Sequence, residues 1–214
     1  MNYSQVIFID PQDLLFDNDQ LKKIIKSALI SVLGQSLGRK FWILNGEFNR
    51  IPSLEKFPKK IVNYCKQNHP EESHTILHRI YNQIDFSSSL IPEAITILDS
   101  LSTFSQVCLF TEGDSTYHHT KLTQSGLAQH TDKVYFFKNK LDHLLQLQHT
   151  HFHQQLVFID PNILALENIS RILQKSTTIL IHPDITLIPG QFKPNFMYKN
   201  LTELIANIQN TQSV

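Results

Sequence analysis

Neither sign of charge holds a majority in this chain: 19 lysines and arginines are matched by 19 aspartates and glutamates. That balance removes the long-range field that draws a protein to nucleic acid or to an anionic membrane surface, so neither partner is expected. Cysteine is nearly missing. Cys65 and Cys108 are far apart, and Cys108 falls inside an apolar strand pattern, so both are expected to be reduced core residues in a cytosol-like compartment. No apolar run approaches the roughly 18 residues of a membrane span. The first residues, Met1-Asn2-Tyr3-Ser4-Gln5, lack the basic and apolar stretches of a secretory signal. A soluble, cytoplasmic protein is the expectation. What is present argues against disorder: 41% of the 214 residues are apolar and 14 are Phe, enough for one sizeable domain or a core with a small accessory domain.

Strand patterns recur along the chain. Val6 to Ile9 is an all-apolar run, the mark of a strand buried on both faces. Leu21, Ile24, Ile25, Ala28, Leu29, Val32 and Leu33 then fall on a helical stripe that Asn18 or Asp19 can cap and Gly34 can end. An irregular aromatic stretch from Ser36 to Pro58 is expected next, followed by helices over Phe57 to Cys65 and Ile76 to Ile84. After Ser87-Ser88-Ser89 strands and helices alternate strictly. Strands are predicted at Val107 to Phe110, Val134 to Phe137, Leu156 to Ile159, Thr177 to Ile181 and Phe196 to Tyr198. Helices are predicted from Pro92 through Leu101, near Tyr117 to Ser125, over Leu141 to Leu147, from Asn162 to Gln174 and over Leu201 to Ile208. Such alternation implies an α/β fold, a Rossmann-like parallel sheet with helices on both faces. Residues 1–16 and 89–214 then form the α/β core, and 17–88 a helical insertion able to act as a lid.

Two strand ends are nearly identical, Phe8-Ile9-Asp10-Pro11 and Phe158-Ile159-Asp160-Pro161, and Leu109-Phe110-Thr111 also stops on a side-chain oxygen. Strands of a parallel sheet bring such residues together at their carboxyl ends, where open α/β sheets bind ligands. The expectation is a site for a small anion and a metal. His149, His151 and His153 alternate in a stretch that, if extended, puts three imidazoles on one side; this is either a transition-metal site or a solvated loop.

The order of these motifs resembles the haloacid dehalogenase (HAD) superfamily, which is dominated by phosphatases. The likeness runs from Asp10 through Ile91-Pro92-Glu93-Ala94, Leu109-Phe110-Thr111-Glu112-Gly113-Asp114 and Asp160 to Asn195 through Leu204. The resemblance implies a helical cap in residues 17–88 and a nucleophile at Asp10 that forms an aspartyl-phosphate with a small phosphorylated metabolite. It gives Thr111 a hydrogen bond to the phosphoryl group, and Lys140, or else Lys138, the task of neutralising charge. Mg²⁺ would be held by Asp10, the main-chain carbonyl of Gln12, and Asp160. Gln12, Glu112 and Gly113, with Arg39 and Arg50 from the insertion, would meet the substrate. Phe41, Trp42 and Phe48 would line a lid or fill the insertion's own core.

Two departures stand out. Gln12 occupies the position of the acid–base Asp, and an amide has no titratable proton near neutral pH. Leu164 occupies that of a second metal-binding acid. Asp13 could replace the lost acid only if the chain kinks at Pro11, because in extended backbone it faces away from Asp10. Three functions therefore stay open: a Mg²⁺-dependent phosphatase of reduced activity, a non-catalytic ligand- or protein-binding module on the same fold, and metal-free chemistry on carbon of the dehalogenase kind.

Overall fold

The computed structural model describes residues 3–44, 57–68, 73–184 and 192–212. The chain divides into two compact units, Met1–Phe16 with Ile91–Glu112 and Leu127–Val214, and Asp17–Leu90 with Gly113–Gly126.

The first unit is an α/β layer structure. Its six strands are β1 (Gln5–Ile9), β2 (Gln106–Glu112), β3 (Lys133–Phe137), β4 (Gln155–Asp160), β5 (Thr177–Ile181) and β6 (Phe196–Tyr198). They pair in the order β3-β2-β1-β4-β5-β6, and every pairing is parallel. The chain steps outward from β1 to β2 and β3, then returns to the other side of β1 for β4, β5 and β6. The winding thus reverses between β1 and β4, and the crevice outside the carboxyl ends of those two strands is where this topology binds ligands.

Helices α4 (Ala94–Ser102), α6 (Leu144–Thr150), α7 (Ile163–Ile172) and α8 (Leu201–Gln212) belong to the same unit. Pro92 precedes α4 by two residues, and the turn before α6 is a 3₁₀ helix, Lys140–His143, where the periodicity suggests one continuous α-helix. A single aromatic floor lies under the sheet's central strands. Phe8 stacks on Phe158 at 4.9 Å between ring centroids, and Phe110 meets both edge-on at 5.8 Å. His151 adds its ring against Phe8 at 5.5 Å, with Nε2 3.0 Å from the Tyr135 hydroxyl and Nδ1 2.7 Å from the Gln154 amide oxygen. His149 lies in the last turn of α6 and residues 151–153 form a turn, so the segment is not extended, and His151 is buried while His149 and His153 are exposed. The metal reading of this cluster fails on that geometry. Among the described residues, no group of three His, Cys, Asp or Glu side chains could hold a metal ion.

The second unit is helical: α1 (Asn18–Leu44), α2 (Phe57–Asn68), α3 (Ser73–Asn82) and α5 (Ser115–Gln124). Asp17, not Asn18 or Asp19, caps α1, its Oδ1 accepting the amides of Asp19 and Gln20 at 3.0 Å each. Gly34 does interrupt the helix, with φ 79°, but helical structure resumes to Leu44 where the sequence suggests irregular chain. At Gly38 an added Cβ would come within 2.8 Å of the Ile30 main chain, so only glycine permits that approach. Phe41 is buried and meets Tyr64 edge-on, so it serves this unit's own core together with Leu21, Ile25, Ile61 and Ile80. Tyr117 of α5 joins the same cluster, which carries residues 113–126 into this unit. Phe48 and Arg50 lie outside the described residues. No described helix is long and apolar enough to cross a membrane.

Phe8 is fully buried among four rings, whereas Phe152 is 70% exposed. Phe8→Ala is expected to cost about 3–5 kcal/mol and Phe152→Ala less than about 0.5 kcal/mol, compared by urea denaturation. Similar losses for the two would contradict the packing described.

Candidate active site

Strand register places the site. Ile9 is level with Leu109 of β2 and with Ile159 of β4, so the next residues, Phe110, Asp10 and Asp160, form a row across three adjacent strands. Neighbouring parallel strands are about 4.8 Å apart, which brings the two carboxylates within reach of one cation. The Asp10 amide donates to the Ile159 carbonyl at 3.1 Å, closing the ladder at the point where the side chains leave it.

The two Asp-Pro sequences fold alike. Asp10 Oδ1 accepts the Gln12 amide at 2.9 Å, and Asp160 Oδ1 accepts the Asn162 amide at 2.8 Å. Each is an aspartate-closed turn in which proline presets the backbone of the intervening residue. With Oδ1 held by its own turn, each carboxylate presents Oδ2. Lys140 Nζ fills the gap, 2.7 Å from Asp10 Oδ2 and 2.6 Å from Asp160 Oδ2. The ammonium also lies 5.5 Å above the Phe110 ring centre.

The two aspartates are chemically alike but differ in access. Asp10 keeps 15% of its side chain exposed, against 4% for Asp160 and 7% for Lys140. Burial, opposed by Lys140 and aided by the charge of Asp10, pushes the Asp160 carboxyl up to about 6. Burial lowers the Lys140 ammonium, but Asp10 and Asp160 outweigh it and hold the group protonated well above its ordinary range. One cation thus serves two carboxylates in a desolvated pocket, which leaves a surplus of negative charge. Asp10 is the more accessible carboxylate, and Asp160, beside it on the next strand, is the more buried.

The other sequence-designated residues fall as follows. Lys140 is buried at the centre while Lys138 is exposed, which decides between them. Thr111 is buried one residue further along β2 than the row. Gln12 is also buried; its carbonyl accepts the Leu14 amide at 2.6 Å. The turn seats Asp13 at φ 60°, left-handed backbone that non-glycine residues rarely take. The chain thus turns at Pro11 and again at Asp13. The exposed Asp13 side chain lines a separate cavity of about 730 Å³ with Glu93, Pro161, His182 and Lys199. Glu112, expected to meet substrate, instead directs Oε2 to the backbone amide of Lys140 at 3.1 Å. Gly113 (φ 119°) and the exposed Arg39 belong to the helical unit, and Arg50 lies outside the described residues. Sequence reasoning passed over Phe110, although its place between Leu109 and Thr111 on a strand level with Asp10 was a usable signal.

The donor set suits a hard divalent cation. Two carboxylates and the Gln12 carbonyl, whose second lone pair remains after Leu14, supply oxygen only, and the surplus negative charge favours a cation. The set is small. Leu164 points outward at 64% exposure, and the Asn162 side-chain oxygen is spent on the amides of Leu164 and Ala165 at the start of α7.

No protein-family model matches the sequence, and no curated protein matches it. Solved structures do. A haloacid dehalogenase-like hydrolase from Burkholderia xenovorans superposes with a TM-score of 0.73 at 15% identity, covering 98% of each chain. The HAD hydrolase YfnB from Bacillus subtilis, solved bound to magnesium, gives 0.65 at 14% identity over 97% of this chain and 99% of that one. The L-2-haloacid dehalogenase of Xanthobacter autotrophicus, with chloropropionic acid covalently bound, gives 0.59 at 12% identity over the same shares. At these identities the likeness is one of fold.

In metal-free protein the raised carboxyl of Asp160 makes a testable pH signature. Its folded value of about 6 exceeds the ordinary 3.8. The stability this group contributes is therefore complete below about pH 4 and lost as pH rises through about 6. Asp160→Asn removes that loss. Thermal unfolding in EDTA should show the variant gaining on the wild type between about pH 4 and 7, and a constant difference would refute the assignment.

Proposed function

Taking the haloacid dehalogenase-like hydrolase fold as the premise, we propose that this chain hydrolyses a small phosphorylated metabolite through a covalent intermediate on Asp10. The observation that carries the reading is the Lys140 ammonium held between Asp10 and Asp160, with Asp10 the more accessible carboxylate. An oxygen of Asp10 attacks phosphorus and the bond from phosphorus to the leaving oxygen breaks, giving an aspartyl-phosphate. Water then attacks the same phosphorus, the bond to Asp10 breaks, and phosphate and the free carboxylate are regenerated. Lys140 keeps Asp10 ionised and offsets charge that develops on the phosphoryl oxygens. Thr111, at the end of β2, would donate its hydroxyl to one of those oxygens.

The buried Gln12 narrows the substrate class. Without a positioned acid, the leaving oxygen departs as an anion or takes its proton from water. Leaving groups of low basicity, as in acyl or aryl phosphates, are therefore favoured. Asp10, the Gln12 carbonyl and Asp160 would hold Mg²⁺, which supplies positive charge that polarises a phosphoryl oxygen. A second reading, a binding module without turnover, is favoured by that same buried Gln12 and by the outward Leu164.

Hydrolysis of p-nitrophenyl phosphate tests both. Slow turnover requiring Mg²⁺ is expected, with loss of activity in Asp10→Asn. Gln12→Asp should raise the rate by about 10²–10⁴-fold, the usual worth of a positioned acid–base group, on an alkyl phosphate with a basic leaving group, and by less on p-nitrophenyl phosphate, whose leaving group departs unprotonated. If neither wild type nor Gln12→Asp turns over, while Mg²⁺ with beryllium fluoride still raises the melting temperature, the binding module stands and the hydrolase falls.

A further inference from the structure

The geometry points to Glu112 as the positioning residue for Lys140, a role that rests on the hydrolase reading and adds a residue to its machinery. Lys140 does not sit on a long helix that would set its aim. It opens a single 3₁₀ turn, Lys140–His143, reached from the end of β3 through two exposed residues, Lys138 and Asn139. The first amides of any helical turn lack partners within the turn. Asn139 Oδ1 takes the Leu141 amide at 3.1 Å. The Lys140 amide goes elsewhere, to Glu112 Oε2 at 3.1 Å, from a residue 28 positions earlier in the chain.

That acceptor is well anchored. Glu112 is the last residue of β2 and pairs in register with Phe137, the last residue of β3. β2 in turn pairs with β1, so the carboxylate refers the lysine backbone to the same sheet rim that carries Asp10 and Asp160. An amide bonded to a charged acceptor is held more firmly than one bonded to a neutral group. The ammonium must satisfy two carboxylates at once, at 2.7 and 2.6 Å, and a small shift of its main chain would break one of them. A carboxylate aimed at a phosphorylated substrate would repel it; one aimed at a lysine amide orients the cation that attracts it.

Two variants and two readouts test this. Nuclear magnetic resonance of the Lys140 backbone amide reads the tether directly, whether or not the protein turns over. In E112A that resonance should move upfield and its hydrogen exchange accelerate, while in E112Q, whose side-chain oxygen still accepts, most of the wild-type behaviour should return. With p-nitrophenyl phosphate and Mg²⁺, E112A should lower kcat about 10- to 100-fold, the usual effect of removing a residue that orients a catalytic group. KM should stay within about twofold, and E112Q should recover most of the rate. An unchanged Lys140 amide in E112A overturns the proposal. So does a raised KM with unchanged kcat in both variants, which would make Glu112 a substrate ligand. Wild-type protein that is inactive but shows the expected amide response would sink the hydrolase reading and leave the tether standing.

Discussion

One ammonium between two buried carboxylates is the constraint around which the α/β unit is arranged. Lys140, Asp10 and Asp160 are largely withdrawn from water, the ammonium over the Phe110 ring, and taking such groups out of water carries a large cost. The arrangement is tolerated because each partner is otherwise satisfied: the turn amides of Gln12 and Asn162 take the remaining carboxylate oxygens. Removing one member of such a set typically costs about 3–5 kcal/mol, because the others are left charged and buried. A protein gains nothing in stability from this pattern that apolar packing would not supply. The triad stands at the reversal point of the sheet, where this topology binds ligands.

The aromatic floor and the ion triad form one device. Phe110 stands in the row itself with Phe8 and Phe158 packed against it, and these rings exclude water from that side and so strengthen the electrostatic interactions there. The same exclusion raises the Asp160 carboxyl, and the asymmetry in access separates two aspartates that the sequence presents as near copies. Asp10 keeps the greater exposure, while both carboxylates hold the lysine. Gln12, buried in the turn that Asp10 closes, brings an amide with no titratable proton near neutral pH.

Much of this was legible along the chain. Strand ends, the repeated Asp-Pro and the helical stripe of Leu21 to Leu33 are short-range features, set by alternation, by the fixed φ of proline and by helical periodicity. Parallel pairing follows from the strict strand–helix alternation. The motif order pointed to Asp10, Thr111, Lys140 and Asp160, and the register puts Asp10 and Asp160 level on adjacent strands.

Other features depend on contacts that no local window contains. The helix resuming after Gly34 rests on the close approach of Gly38 to Ile30, and α5 joins the helical unit through Tyr117, far from its partners in sequence. The choice of Lys140 over Lys138 follows from a 3₁₀ turn whose first amide is held by Glu112, 28 residues away. By itself the sequence determined which residues could do chemistry and at which strand ends they sit, because backbone period and turn formation are local. Only the tertiary structure decided how they divide the work, since burial and shared charge exist only once distant strands have been brought side by side.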